Sequence, residues 1–595
     1  MHQPSNTPRP SLYYRYQVHP PWLPSAHPPQ PRHPVVIAGA GPAGLVTALV
    51  LAQHGVASVV LNAELQVSAG SRAIVFTRRT LEILQQVGVA DRLVAEGLPW
   101  RCGNSFYRGQ RVFRMEAPHD DDDRFWPMLN IQQQFLEEYL LDACAASGLV
   151  DLRWGNKLTQ VRQHADHALL TIDTPEGPYA QQAGWLVAAD GGRSGIRSQL
   201  GLQMEGASYE SLFVIADIRI DLPFPTERLA YFDPDWNRGN TILLHREPHG
   251  IWRVDYQLPL GETPEQALQP ESMRQRIDAQ LAMIGHAGTP WQMDWSSVYA
   301  ARTLTLPDFV HGRVVFTGDA AHLLPIFGVR GANTAFQDAQ SLGWHLACVV
   351  KGLAGPALLA NHSAERVGAA REIIGEAGKS TRFMAPPSRG FRLLRDAVLS
   401  LSLTQEFVRP LHHWRTSRPH AYTHSALNCP DDDDALFAAG PGHGAPPQNV
   451  RLGDGDFLLD HIGAGFHLLV FTDQAIPAPL QQVVQAARAR GLPLRLLAIG
   501  AAQPVPGADH TLADAAGRVR LRHGVPAQTT GLPAYLLRPD QHVCARWLAL
   551  DAKRLQAALV AAVTAPPSAP PSAAPSPPPA AIAPLPSPGD HHAHA

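Results

Sequence analysis

Three separated segments constrain this chain more than its composition does: GAGPAG at Gly39–Gly44, ADGGRS at Ala189–Ser194 and GDAAH at Gly318–His322. Each follows a short apolar run, Pro34–Ala38, Leu186–Ala189 and Val314–Thr317, that reads as a buried strand. In the first segment Gly39 permits a tight turn, Gly41 lets the backbone approach a pyrophosphate, and Gly44 allows close helix–strand packing. Amides at the start of the helix from Leu45 then face negative oxygens. Ala57–Leu61 completes the βαβ unit. An acid on the ribose is expected about 20 residues after the glycines; the second strand ends instead at Asn62, with Glu64 beyond it. If the three segments serve one dinucleotide, the chain must return repeatedly to one sheet.

Gly318 and Asp319 precede the loop Gly328–Asn333 (GVRGAN) and a helical stretch. That loop can supply amides to a ring oxygen or a pyrophosphate, and Asp319 either accepts from a sugar-like hydroxyl or caps a helix. Between Gly201 and Pro307 the pattern changes to strands of aromatic and polar alternation, including Thr241–His245 and Trp252–Gln257. The order predicts an α/β nucleotide domain interrupted by a mostly antiparallel layer. Phe466–Phe471, Leu494–Gly500 and Gly531–Asp540 read as strands of a separate small α/β domain.

The 595 residues are too many for one core. Lys and Arg number 49 against 52 Asp and Glu, so nothing in the charge balance points to nucleic acid. Cys102, Cys144, Cys348, Cys429 and Cys544 are widely spaced, without a CxxC or a metal-ligand cluster. Cys348, in an apolar helical pattern, reads as a packed thiol. No apolar run approaches the roughly 20 residues of a membrane span, and the start carries no signal-type hydrophobic region; the expectation is a cytoplasmic protein with no metal, membrane or nucleic-acid partner.

GAGPAG, ADGGRS and GDAAHLLPIFGVRGANTAFQDA, with GSRAI at Gly70–Ile74 and Gln133 before Leu136–Glu137, resemble the signatures of class A, single-component FAD-dependent aromatic hydroxylases. The resemblance runs from about Pro34 to Arg395 and leans to the 3-(3-hydroxyphenyl)propionate hydroxylase and phenol hydroxylase-like branch. It implies a Rossmann-like FAD-binding domain interleaved with an antiparallel substrate domain, plus a C-terminal thioredoxin-like domain. The expected division is a Pro-rich extension at 1–32, in which Tyr13, Tyr14 and Tyr16 can pin the chain to a surface. The FAD-binding domain takes 33–110, 180–210 and 308–415, with an intervening segment at 111–179 and the substrate layer at 211–307. A linker at 416–439, the thioredoxin-like domain at 440–560 and a disordered Pro/Ala-rich tail at 561–595 complete it.

Carried over by residue, the resemblance assigns FAD to Gly39, Gly41, Gly44, Asn62, Arg72, Gln133, Asp190, Arg193, Asp319, Pro325, Gly328, Gly331 and Asn333. Pro325 matches the first of a frequent Pro-Pro pair whose second member is here Ile326. The implied reaction takes NADH or NADPH as transient electron donor and O2 as co-substrate. It hydroxylates a phenolic ring through a C4a-hydroperoxyflavin, in a homodimer. A phenolic acid is the expected substrate; a heteroaromatic or polyketide-like ring, or an FAD-dependent oxidase or dehydrogenase, are the alternatives. A base must take the phenolic proton, and the middle layer offers His245 and Tyr256 as catalytic candidates beside Pro325, with Arg246, Arg253 and Gln257 for substrate. Tyr231 and Asp233 are further possibilities, and His322 reads as a structural hydrogen-bonding group. The alternation in TILLHREPHGIWRVDYQL sends neighbours to opposite faces, but the sequence does not say which face meets the ring.

Overall fold

The apolar run at the first motif sets the architecture. In the computed structural model, which describes residues 1–27, 32–70, 73–325, 327–412, 419–500, 502–527 and 529–564, it forms the strand Arg32–Ala38 at the centre of an eight-stranded sheet. Its neighbours Gly177–Ala188 and Ser58–Asn62 run parallel to it, and Val314–Phe316 and Val150–Trp154 extend the parallel set. Successive side chains face opposite ways. Val35, Ile37, Val60, Val187 and Val315 pack under helices Pro42–Gln53, Gln133–Ser147 and Gly331–Val350. Val36, Ala38, Val59, Leu186 and Phe316 pack on the other side with Ala168, Leu170 and Ile172 of an antiparallel hairpin. All three motif strands therefore end at one edge of one sheet, as their spacing predicts.

A second eight-stranded sheet is built mainly from Glu205–Arg219, Arg228–Phe232, Thr241–Arg246, Ile251–Gln257 and Gln292–Thr305. Strands Cys102–Tyr107 and Gln110–Glu116, expected in the FAD-binding domain and the intervening segment, join this sheet through Arg228–Phe232. That division is corrected accordingly: a strand follows its hydrogen-bonding partner, not its neighbour in sequence. Val214, Ala216, Ile218, Ile242, Leu244, Val254 and Tyr256 face helix Pro270–Met283, packing on Ile277 and Leu281. Phe213, Ala230 and Leu243 face the other way, onto Phe327.

The C-terminal unit holds a five-stranded sheet in the order His510–Leu512, Leu494–Gly500, Phe466–Thr472, Ala534–Leu537, Val543–Trp547. Its helix Ala552–Thr564 runs beyond the expected boundary at 560; the rest of the Pro/Ala-rich tail, 565–595, lies outside the described residues. Within the expected linker, Tyr422 and Leu427 are buried, and Asp433 and Asp434 bind Arg554 and Arg546. Residues 419–439 are therefore a packed strap rather than a loose connection. The expected extension is likewise anchored, with Tyr14 and Tyr16 buried. No helix among the described residues is long and apolar enough to cross a membrane, and none of their His, Cys, Asp and Glu side chains group as a metal site.

Candidate functional site

The turns of the first two motifs lie side by side, Gly39 against the backbone of Ala189. Gly39 donates to Leu61 O at 2.9 Å, and Ala189 donates to Ala38 O at 2.9 Å, so the turns after adjacent strands lie side by side. Gly39 has φ +117°, and a Cβ there would run into the Ala189 carbonyl. A Cβ at Gly44 would run into the Gly39 carbonyl, which explains its close packing. Around Gly41, Gly191 and Gly331, by contrast, a Cβ would meet nothing within 4 Å among the described residues. Gly41 caps helix Pro42–Gln53, and Gly331 opens helix Gly331–Val350. Two helix N-termini with open space before them suit an anionic dinucleotide.

Asp190 accepts from the Ile196 amide at 3.2 Å through Oδ2, while its buried Oδ1 has no hydrogen-bond partner among the described residues. Burial raises the Asp190 carboxyl above its ordinary value, against the pull of Ser194 and nearby amides. Thr317 Oγ1 and His322 Nδ1 are buried and unpartnered in the same sense. These orphaned atoms and the open glycine cradles fit FAD. Asp319 is exposed in the turn Gly318–Ala320, and Arg193 is exposed within the second motif. Asn62 ends its strand and accepts from Glu64 N at 3.4 Å. Gln133 accepts from Ala73 N at 3.2 Å and donates to Glu137 at 2.7 Å. Pro325 and Gly328 are buried in the segment leading to helix Gly331–Val350. Arg72 and Ile326 lie outside the described residues.

Asn333 is a different kind of group from the one expected. Its Nδ2 donates to Val75 O and Val329 O at 2.9 and 2.8 Å. Its Oδ1 accepts from Thr77 N at 2.9 Å and Thr80 Oγ1 at 2.6 Å. The side chain is consumed in tying the loop to the strand Val75–Thr77. His322 is also engaged locally. Its Nε2 lies 2.6 Å from Asp338 Oδ2, and Arg366 Nε donates to Asp338 Oδ1 at 2.6 Å. Burial alone would raise the Asp338 carboxyl, but Arg366 and His322 hold it well below the usual range.

The face of the second sheet that meets Phe327 carries a buried polar set. Phe213 packs edge-on to Phe327 at 5.2 Å, and Tyr299 donates to Leu324 O at 3.0 Å, fixing this face against the third motif. Cross-strand pairs His245–Arg253, Arg253–Asp217 and Leu243–Asp255 share it. Arg253 is spent on Asp217 through two bonds of 2.8 Å, with Glu247 Oε1 3.5 Å away. Asp217, Glu247, Asp255 and Arg228 belong with the expected residues and were not singled out by sequence; the period-2 positions around His245 and Arg253 are the signal that finds them. Burial pushes the Asp255 carboxyl up to about 7, Arg253 pulling it back and Asp217 adding to it. Burial raises Glu247 further, reinforced by Asp217. Burial, then Arg228 and Arg253, drives His245 well below its ordinary value.

Gln257 shares the inward face and donates to Ser211 Oγ at 3.3 Å. Tyr256 and Arg246 do not. Tyr256 is buried on the opposite face, with the Arg276 guanidinium 5.5 Å over its ring, and Arg246 donates to Phe224 O at 3.0 Å. Tyr231 stacks on Phe106 on that outer side, and Asp233 accepts from Gly239 N in a turn. One step along a strand reverses the face.

Residues 32–377 match the family described as FAD binding domain. The chain is 28% identical over 445 residues to a 3-(3-hydroxy-phenyl)propionate/3-hydroxycinnamic acid hydroxylase of Mycolicibacterium smegmatis, covering 74% of this chain and 77% of that protein. A protein of the same description from Mycobacterium avium is 27% identical over 547 residues, covering 88% and 91%. The fold is similar to that of the flavin-dependent monooxygenase PieE, with a TM-score of 0.75 at 24% identity over 90% of this chain and 99% of that one. Aklavinone-11 hydroxylase gives 0.71 at 24% identity, over 89% and 98%. The glycine cradles, the paired motif turns and the facing substrate sheet agree with the matched span, and the chain belongs to the FAD binding domain family as a single-component FAD-dependent aromatic monooxygenase.

Proposed function

We propose that the enzyme hydroxylates an electron-rich ring that carries hydroxyl or ring N–H donors and no carboxylate, of heteroaromatic or polyketide-like type, rather than a phenolic acid. The inward face of the substrate sheet carries this reading. Glu247 Oε1 and Oε2, Asp255 Oδ1, Gln257 Oε1 and His245 Nδ1 are buried there without hydrogen-bond partners among the described residues. Unmet buried groups of this kind cost free energy until a ligand satisfies them. A substrate carboxylate would instead need a cation. Arg253 is already bidentate to Asp217, and the charge of Arg228 is offset by Asp255. Arg246 is on the outer face. The named relatives act on a phenylpropionate, whereas proteins of similar fold include an aklavinone and an anhydrotetracycline hydroxylase.

Bound FAD would supply reduction by NADH or NADPH and transfer of one atom of O2 to the ring. The chain's own residues do the rest. Asp255, poised near neutrality, takes the phenolic proton, which raises electron density on the ring. Glu247, kept protonated, offers one O–H and one acceptor to a second ring substituent. His245 stays neutral and receives or gives a hydrogen bond rather than acting as base. Phe213, Leu243 and Phe327 exclude water between sheet and motif.

The C-terminal unit we read as thioredoxin-like. The parallel pair Phe466–Thr472 and Leu494–Gly500, the antiparallel pair Ala534–Leu537 and Val543–Trp547, and helices Ala478–Ala489 and Ala552–Thr564 support that topology. Its Cys544 is buried with a thiol pushed far up by desolvation, so its role is packing.

Anaerobic reduction by NADH and by NADPH, with and without a panel of aromatics, tests the reading. Phenols and heteroaromatics without a carboxylate should accelerate reduction strongly, and phenolic acids should not. Acceleration by phenylpropionates alone would restore the acid reading; equal rates with every compound would favour an oxidase or dehydrogenase.

A further inference from the structure

Helix Arg389–Ser402 carries more apolar side chains than its packing uses. Its inner stripe, Val398 and Leu399, is buried in one cluster with Phe213, Leu243 and Phe327, against the inward face of the substrate sheet. A second stripe, Leu394 and Leu401 at i and i+7, stays open to solvent at 55% and 47% exposure. The turn Glu406–His412 packs beside the helix and adds Leu411. Among the described residues, these two segments and the end of helix Ala357–Met384 leave between them a cavity of about 130 Å³. Phe383, Phe391, Leu394, Val398 and Leu411 form its apolar lining.

The cations at its rim differ in what they are free to do. Arg395 is spent: Nε and Nη2 donate to Asp396 at 2.9 and 2.8 Å, and Nη1 donates to Gly239 O at 3.1 Å. Lys379 meets Glu376 at 2.9 Å in a partly exposed pair for which water competes. Half-buried Arg382 has no carboxylate partner among the described residues, and its guanidinium lies 5.6 Å over the Phe391 ring. A guanidinium held beside an apolar hollow suits a carboxylate attached to an apolar body.

Size and charge narrow the occupant. A hollow of roughly 150 Å³ holds one benzene ring, so this one fits a single ring or a short chain and not fused rings. A second copy docked by the same face would set Arg382, Arg389 and Arg392 against their own counterparts. Phe383 is fixed from behind by Phe232, edge-on at 5.6 Å, so the floor stands ready without a ligand.

We propose that this cavity is a second ligand site, separate from the substrate face, that takes a small apolar carboxylate such as an aromatic acid. The ring lies between Phe391, Leu394 and Leu411, and Arg382 pairs with the carboxylate. Phe383 and Val398 line the cavity and also belong to the cluster of Phe213, Leu243 and Phe327, so a bound acid packs on the layer that covers the substrate face.

Full-chain enzyme loaded with FAD is titrated calorimetrically with benzoate, 3-phenylpropionate and neutral benzyl alcohol, and the flavin spectrum is followed in parallel. Both acids should bind without moving the flavin bands, and the alcohol about tenfold more weakly, the value of one charge-assisted pair. Arg382→Gln should bring benzoate to the level of the alcohol. Leu394→Glu should abolish acid binding at an unchanged thermal midpoint, since Leu394 is more than half exposed. No heat with either acid, or equal binding of acid and alcohol in wild type and R382Q, would overturn the proposal. So would acid binding that survives L394E and shifts the flavin bands, which would place it on the substrate face. Self-association, or attachment to phosphatidylglycerol vesicles, that L394E abolishes without any benzoate heat would give the groove to a second copy or to lipid, and also overturn it. Binding is read here without turnover, so its failure and that of the proposed substrate reading are separable.

Discussion

On the proposed reading, the chemistry of the substrate face rests on one carboxyl, Asp255. Its folded-state value, raised to about 7, lies above the roughly 3.9 of an exposed aspartate. Between those values the folded protein holds a proton that the unfolded chain has lost, so the contribution to stability is complete below the lower value and is lost as pH rises through the upper. A phenol that gives its proton to Asp255 needs the ionised form. Catalysis and stability therefore pull in opposite directions across the same window. The KM for the accelerating aromatic should fall as pH rises through about 7, and Asp255→Asn should flatten that dependence while leaving the flavin spectrum intact. The same substitution should also remove the loss of thermal stability over that interval. A KM profile unchanged in D255N would transfer the base role to another group on the face, Glu247 first.

At the level of elements, Asn333 links three of them: helix Gly331–Val350, the turn at Val329 and strand Val75–Thr77. Asn333→Ala leaves the buried Val75 carbonyl, the half-buried Val329 carbonyl and the Thr77 amide unmet, a cost of about 2–4 kcal/mol. It should lower the thermal midpoint and release FAD on gel filtration, measured by the ratio of visible to ultraviolet absorbance. The three motif turns were legible in the sequence because each rests on local chemistry, a glycine after an apolar strand. The substrate sheet was legible only in outline. Cys102–Glu116 joins it by pairing with Arg228–Phe232, and nothing within either segment announces so distant a partner. Likewise the alternation around His245 separates two faces but names neither; the contact of Phe213 with Phe327 decides it. The Gly/Pro-rich stretch before the C-terminal unit looked loose because its partners, Arg366 for Tyr422 and Arg546 for Asp434, come from elsewhere in the chain.

For the whole molecule, the C-terminal unit is fastened through buried charge. Arg538 donates to Glu365 at 2.6 and 2.9 Å and to Asp540 at 2.6 and 3.1 Å, while Trp344 donates to Asp540 at 2.9 Å and Arg79 to Asp540 O at 2.9 Å. Beside Glu365 in the same helix, Arg366 joins Tyr422 of the strap to Asp338, and Asp338 holds His322 of the third motif. Desolvation makes such pairs modest contributors to net stability, yet removing one partner strands the others. Arg538→Met should therefore cost about 3–5 kcal/mol, read as a lower thermal midpoint and earlier proteolysis within the C-terminal sheet. Glu365→Gln should cost less, because the amide still accepts from Arg538 and Ser425. Combined, the two should cost less than their sum, since the second change removes a charge already left unpaired by the first. Strict additivity would mean that Arg538 and Glu365 act independently, and that the C-terminal unit is held by the apolar contact of Trp344 and Cys348 with Phe466 and Leu468 rather than by this buried network.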